Sequence, residues 1–116
     1  MTPKEVVSAW VGAFNRGDAD AMVALYADDA VHTSPKLRVA QPATQGRVVG
    51  KEAMRRWWQE SFDRRPPIRY EVLTIVADDA IAVIEYLRHR EGEDTLRVAE
   101  VFEIRDRIVR SHVYHG

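Results

Sequence analysis

The chain has no cysteine, which excludes a disulfide framework, a thiol nucleophile and a thiolate metal site together. It also lacks an excess of either charge: seventeen Lys and Arg stand against eighteen Asp and Glu, a net charge of −1. A nucleic-acid module needs a basic surface to neutralise phosphates, so that balance argues against nucleic acid as a partner. No apolar run approaches the roughly 20 residues that span a bilayer. Lys4, Glu5 and Ser8 interrupt any apolar leader at the start. The expectation is a cytoplasmic protein with no membrane contact. No Gly-rich phosphate loop and no G-x-S-x-G nucleophile elbow occurs, and no close-spaced His motif suggests a metal. Neither cofactor nor metal is expected. What remains is ordinary globular composition, 46% apolar and 30% charged, with three Trp in 116 residues. One core fits that length, so residues 1–116 form a single domain.

The start of the chain carries a helix signature. Thr2 precedes Glu5 by three residues, a capping box, and Pro3 sits where a missing N–H costs nothing. Val6, Val7, Trp10, Val11 and Phe14 then fall on one helical face, and Gly17 ends the run. Asp18 caps a second helix bearing Met22, Leu25 and Tyr26, which stops at Asp28 and Asp29. A short extended piece follows, up to Pro35. Residues 36–49 have no period and read as a long loop, a candidate mobile lid containing Lys36, Arg38 and Arg47. Gly50 opens a third helix with Met54, Trp57, Trp58 and Phe62 on one side. Four β-branched-rich runs complete the chain, at 69–76, 80–90, 95–105 and 108–115. Helices first and strands after is an α+β order. The expected architecture is a cone-shaped α+β barrel, three N-terminal helices packed on a strongly bent antiparallel sheet that encloses a pocket.

Several of these stretches resemble one family. A-W-V-G-A-F-N-R-G-D followed by L-Y-A-D-D-A-V-H-T-S-P is similar to the opening of nuclear-transport-factor-2-like proteins. G-K-E-A-M and V-F-E-I-R-D-R-I-V-R-S-H-V-Y fit the same superfamily, most closely its SnoaL-like and ketosteroid-isomerase-like branch. The resemblance implies a homodimer, and it implies site positions. The steroid isomerases' hydrogen-bonding Tyr falls at Trp10, their general-base Asp at Ser34 and their oxyanion-hole Asp at Glu100. The epoxide hydrolases' Asp falls near Val113, and the polyketide cyclases' carboxylate shares a strand with Glu100. Of these activities the cyclase type fits best.

Strand pairing gives a second, independent expectation. If Gly92-Glu93 is a two-residue hairpin loop, Glu85 lies opposite Glu100. Period-2 alternation then groups Glu85 with Val83, and Glu100 with Val98 and Phe102, on the pocket face. Carboxylates so opposed would share a proton, equipment for general acid–base work near neutral pH. A one-residue slip would instead turn them outward, where Arg88, Arg97 and Arg110 could pair with them. A two-residue turn at Asp106-Arg107 sets Phe102 opposite Ser111, Glu100 opposite Val113 and Val98 opposite His115. His115 then points to the pocket mouth, unless the chain end frays. His32 and Ser34 share a parity on the short strand.

These residues define the expected site. Glu100 is the general acid or oxyanion stabiliser, Glu85 the partner base and His32 an assisting titratable group. Ser34 and Trp10 donate hydrogen bonds, and Phe14, Trp57, Val83, Val98, Phe102, Val113 and His115 line the wall. The aromatics at helical spacing also read as plain core. Ile84, Tyr86, Val101 and Tyr114 fall on the opposite sheet face, an apolar surface suited to a homodimer through Tyr86, Val101 and Tyr114. The functional expectation is a cofactor-free isomerase, cyclase or dehydratase acting on a small apolar molecule. The alternative is a non-catalytic small-ligand-binding or dimerisation domain of the same fold.

Overall fold

A computed structural model describes residues 1–115. Helix α1 spans Pro3–Arg16, and its capping box closes both ways between Thr2 and Glu5. Gly17 takes the left-handed conformation that ends it, φ 67°. Val6, Val7, Trp10, Val11 and Phe14 are buried along its inner face. Asp18 then accepts from the Ala21 N–H and starts α2, Ala19–Ala24.

Here the first departure occurs. Tyr26 does not ride on the second helix; it opens strand β1, Tyr26–Thr33. Its partner is Ile108, and the Ile108 N–H bonds the Leu25 carbonyl at 2.9 Å. Asp28 and Asp29, expected to stop a helix, lie exposed in β1 where the pairing register shifts. Residues 36–49 are not a structureless loop either. Helix α3 (Pro35–Ala40), a 3-10 turn (Pro42–Thr44) and strand β2 (Arg47–Val49) occupy that stretch. Leu37 and Val48 bury it against the body, and β2 pairs with β1. Each element is too short to leave a hydrophobic period in the sequence. Helix α4, Lys51–Asp63, follows from Gly50, whose φ of 86° turns the chain into it.

Strands β3 (Arg69–Ala77), β4 (Ile81–His89), β5 (Leu96–Arg105) and β6 (Arg107–His115) complete one six-stranded sheet in the order β2-β1-β6-β5-β4-β3. Each adjacent pair is antiparallel except β1 and β6, which run parallel. The sheet is therefore mixed, with β2 and β3 as free edges, and it does not close into a barrel. Among the described residues four helices rather than three pack on it.

The two C-terminal hairpins differ from each other. In β5–β6, Phe102 faces Ser111, Glu100 faces Val113 and Val98 faces His115, as the sequence predicts. The turn itself is tighter, with Arg105 paired to Arg107 across a left-handed Asp106, and a bulge after Glu103 restores the register. In β4–β5, Arg88 faces Leu96, so an odd number of residues separates the partners. Gly92, at φ 83°, sits inside a turn closed by the Glu93 N–H on the Arg90 carbonyl. That single-residue difference shifts β4 by one position against β5. Ile84, not Glu85, faces Glu100. Ile84 and Tyr86 thus point into the core, almost wholly buried, while Val83 is 37% exposed on the outer face.

Candidate functional site

Helices α1, α3 and α4 and the concave sheet face bound a cavity of about 420 Å³. Of the residues expected there, Trp10, Phe14, His32, Ser34, Trp57, Val98, Glu100, Val113 and His115 line it. Phe102 does not; it is fully buried behind the wall, its ring edge-on to Trp10 at 5.1 Å. Val83 and Glu85 are on the wrong side of the sheet, for the register reason given above. Glu85 meets Arg97 at 3.2 Å and accepts from Thr74 at 3.4 Å, both at the surface. Among the described residues Glu85 and Glu100 do not oppose each other: Ala99 faces Glu85 and Ile84 faces Glu100. Glu100 stands alone.

One wall is a stack of rings. Phe14 lies flat on Tyr70 at 3.7 Å between centroids, and Tyr70 packs on Tyr86 at 4.1 Å. Tyr86 donates its hydroxyl to Glu100 Oε1 at 2.9 Å. Tyr86 is thus a pocket residue and not a dimer contact. Glu100 Oε2, fully buried, has no hydrogen-bond partner among the described residues. Burial pushes the Glu100 carboxyl up to about 8, against the opposing pull of the Tyr86 bond. Burial, with the Glu100 charge as the second cause, raises Tyr70 and Tyr86 above the usual phenol range.

A polar relay runs beneath. Trp10 Nε1 donates to Tyr26 Oη at 3.1 Å, Tyr26 Oη meets Ser111 Oγ at 2.7 Å, and Ser111 Oγ meets His32 Nδ1 at 2.7 Å. An indole N–H can only donate, and with Tyr26 Oη as its acceptor the arrangement that leaves no buried hydroxyl proton unpaired runs from Tyr26 to Ser111 and on to His32. Tyr26 Oη–H donates to Ser111 Oγ, Ser111 Oγ–H donates to Nδ1, and His32 is the neutral Nε2–H tautomer. Burial, with the neighbouring His112 charge, drives the His32 pKa down to about 3, in keeping with that assignment. His32 Nδ1 is 3.9 Å from Glu100 Oε2. With Glu100 protonated and His32 neutral near pH 7, this approach is not an ion pair. Trp10 also has no N–H to spare for a ligand, contrary to expectation. Ser34 does: its hydroxyl opens on the cavity with no hydrogen bond among the described residues.

The mouth is charged. Lys36, Arg64, Arg88, Arg90 and Glu93 surround it. Arg88 Nη1 donates to Glu93 Oε1 at 3.1 Å, and Arg90 Nη1 lies 3.2 Å from Glu93 Oε2. Among the described residues no group of three or more His, Asp or Glu could hold a metal ion. No helix is long and apolar enough to cross a membrane.

The sequence reasoning missed Tyr70, Tyr86, Arg88 and Arg90 because all depend on β3 or on the slipped register of β4. Ser111 was within reach, since the correct β5–β6 register already put it beside Val113 on the pocket face.

Comparison with known proteins places these features in context. The SnoaL-like domain family matches residues 7–112. A SnoaL-like protein of unknown function from Burkholderia thailandensis is 26% identical, with 97% of this chain and 92% of that one covered and a TM-score of 0.81. An NTF2-like protein of unknown function from Cytophaga hutchinsonii, 15% identical, superposes over 100% of this chain and 91% of its own at a TM-score of 0.80. A candidate ketosteroid isomerase from Kribbella flavida is 18% identical, covering 97% of this chain and 76% of that one, with a TM-score of 0.79. At those lower identities the likeness extends to the fold alone. No curated protein matches the chain.

Proposed function

The chain belongs to the SnoaL-like domain family, and from that premise we propose that it is a small-molecule enzyme in which Glu100 moves a proton within one substrate. One observation carries this reading: a fully buried carboxyl on the cavity wall has a free oxygen, and its pKa is raised to about 8. A group titrating near the working pH serves as base in one form and acid in the other. As carboxylate, Glu100 removes a proton from the carbon beside a substrate carbonyl, and the C–H electron pair moves into an enolate. As acid, it returns that proton to a second position, a distal carbon in an isomerisation or a leaving hydroxyl in a dehydration. Tyr86 holds the carboxyl in place through Oε1. Ser34 offers a hydroxyl to the substrate. The aromatic wall keeps water out, which strengthens every polar contact inside. His32, held neutral by burial, positions the site and transfers no proton in the scheme.

The test uses exchange of α-hydrogens of a small aryl ketone in D2O. The wild-type protein accelerates exchange, and Glu100→Gln lowers the rate by about 10²-fold or more. Equal rates for the two proteins would leave a ligand-binding domain as the better description.

We also propose that a second copy of the chain covers the outer sheet face. Val76, Val83 and Val101 face one another across β3, β4 and β5, and Tyr114, also on that face, is 54% exposed. With Tyr86 removed from that surface, Val83 takes its place. Sedimentation at micromolar concentration should give about twice the chain mass; a monomer sinks the idea.

A further inference from the structure

The mouth of the cavity holds more positive charge than it neutralises, and one arginine there is under-used. Arg90 is fully engaged: Nε donates to the Pro66 carbonyl at 2.9 Å, Nη2 approaches the Arg65 carbonyl at 3.4 Å, and Nη1 lies against Glu93. Arg88 makes a single hydrogen bond, from Nη1 to Glu93. Its Nε and Nη2 have no partner among the described residues, yet the side chain is only 12% exposed. Lys36 and Arg64 line the same rim without an ion pair among the described residues. Glu93, the carboxylate between these cations, is already shared by Arg88 and Arg90. Arg88 Nε and Nη2 are not sealed from solvent; they stand open at the cavity, where an entering ligand can take them. The remaining Nε and Nη2 form a fork whose geometry fits a carboxylate through two parallel bonds.

The register sets the distance to the reacting group. Arg88 lies four residues along β4 from Ile84, which faces Glu100, so the two are separated by about 13 Å of strand on one face. Tyr86 and the ring stack fill the space between. We propose that the substrate is an amphiphilic monoanion: an apolar, ring-sized body lies along the Phe14–Tyr70–Tyr86 wall, and its carboxylate docks on Arg88 at the mouth. This rests on the acid–base reading for the chemistry at the far end, but not for the binding itself. Docking the charge at the rim orients the molecule, so that the opposite end reaches Glu100. Such an anchor, remote from the reacting atoms, spends binding energy on orientation.

The test compares 4-phenylbutyrate with 4-phenylbutyramide, which share a body and differ in charge. All three tryptophans of the chain, Trp10, Trp57 and Trp58, line the cavity, so quenching of intrinsic fluorescence reports occupancy. The carboxylate should bind about 10-fold more tightly than the amide at low salt, and the preference should shrink as salt rises. In Arg88→Gln the preference falls to near unity, and Arg88→Lys, which keeps the charge but loses the fork, lies between. Equal binding of the two probes, a preference that survives Arg88→Gln, or quenching by neither at millimolar concentration would each overturn the proposal. If Arg88→Gln does not fold, the carboxylate-to-amide ratio and its salt dependence in the wild type still decide it. Neither probe is turned over, so this result stands apart from the exchange assay on Glu100.

Discussion

The deep end and the mouth of this cavity use polar groups in opposite ways. At the deep end, Trp10, Tyr26, Ser111, His32, Tyr86 and Glu100 are nearly all fully buried, and burial keeps the titratable members uncharged near pH 7. At the mouth, Lys36, Arg64 and Glu93 are exposed and Arg88 and Arg90 half-buried, with Glu93 shared between the two arginines. The contrast teaches where each kind of work can be done. A proton is moved most easily by a group that is nearly neutral and dry. A ligand's charge is gripped best where the partner's charge was never given up.

Substitutions sharpen that contrast, starting with the largest effect. Trp10→Ala should cost about 3–5 kcal/mol of folding stability, since it opens a core cavity and leaves Tyr26 without its donor; Arg88→Gln, which loses the ion pair to Glu93 at the rim, should cost about 1 kcal/mol. Urea melts of the two variants measure the difference, and comparable losses would abolish the distinction between the regions. Ser111→Ala comes next. It strands Tyr26 Oη and His32 Nδ1 together in a dry site, for about 1–3 kcal/mol in the same melts.

The pH dependence of stability separates the regions without any mutation. His32 has a folded pKa of about 3 against an ordinary 6.5, so the folded state binds fewer protons than the unfolded one between those values. Its contribution therefore rises with pH from about 3 to 6.5. Glu100 is the reverse, at about 8 folded against 4.5, so its contribution falls with pH from about 4.5 to 8. The two oppose each other in the overlap. Thermal stability should climb from pH 3, be broad between about 4.5 and 6.5, and decline toward pH 8. Glu100→Gln should lose the decline; a variant that keeps it would show that surface groups cause it. The smallest effect is expected at Glu85→Gln. Its pairing with Arg97 is at the surface, and an exposed pair of this kind contributes about 0–1 kcal/mol. No change in the exchange assay should accompany it.

Much of the architecture was legible from local chemistry. Thr2, Glu5, Gly17 and Asp18 marked α1 and the start of α2 correctly, because caps are written in a few adjacent residues. The β5–β6 register was also readable, and with it the neighbours of Glu100. The position of Glu100 itself was implied by the family resemblance as well as by alternation. What failed was parity in β4. Gly92 signalled a turn but not its length, and one extra residue moved Val83 and Glu85 outward and Tyr86 and Arg88 inward. The parallel pairing of β1 with β6 left no local mark, since it joins residues from opposite ends of the chain. Tyr26 was misread for the same reason: its strand identity comes from Ile108 and not from its neighbours.

The central claim is that Glu100 is a poised acid in a dry pocket, and a carboxyl-resolved NMR titration of the glutamate-labelled protein tests it most directly. One side-chain carboxyl, absent from the spectrum of Glu100→Gln, should titrate near pH 8. If that resonance instead moves with the ordinary glutamates near 4.5, water reaches the carboxyl and the acid–base account is wrong.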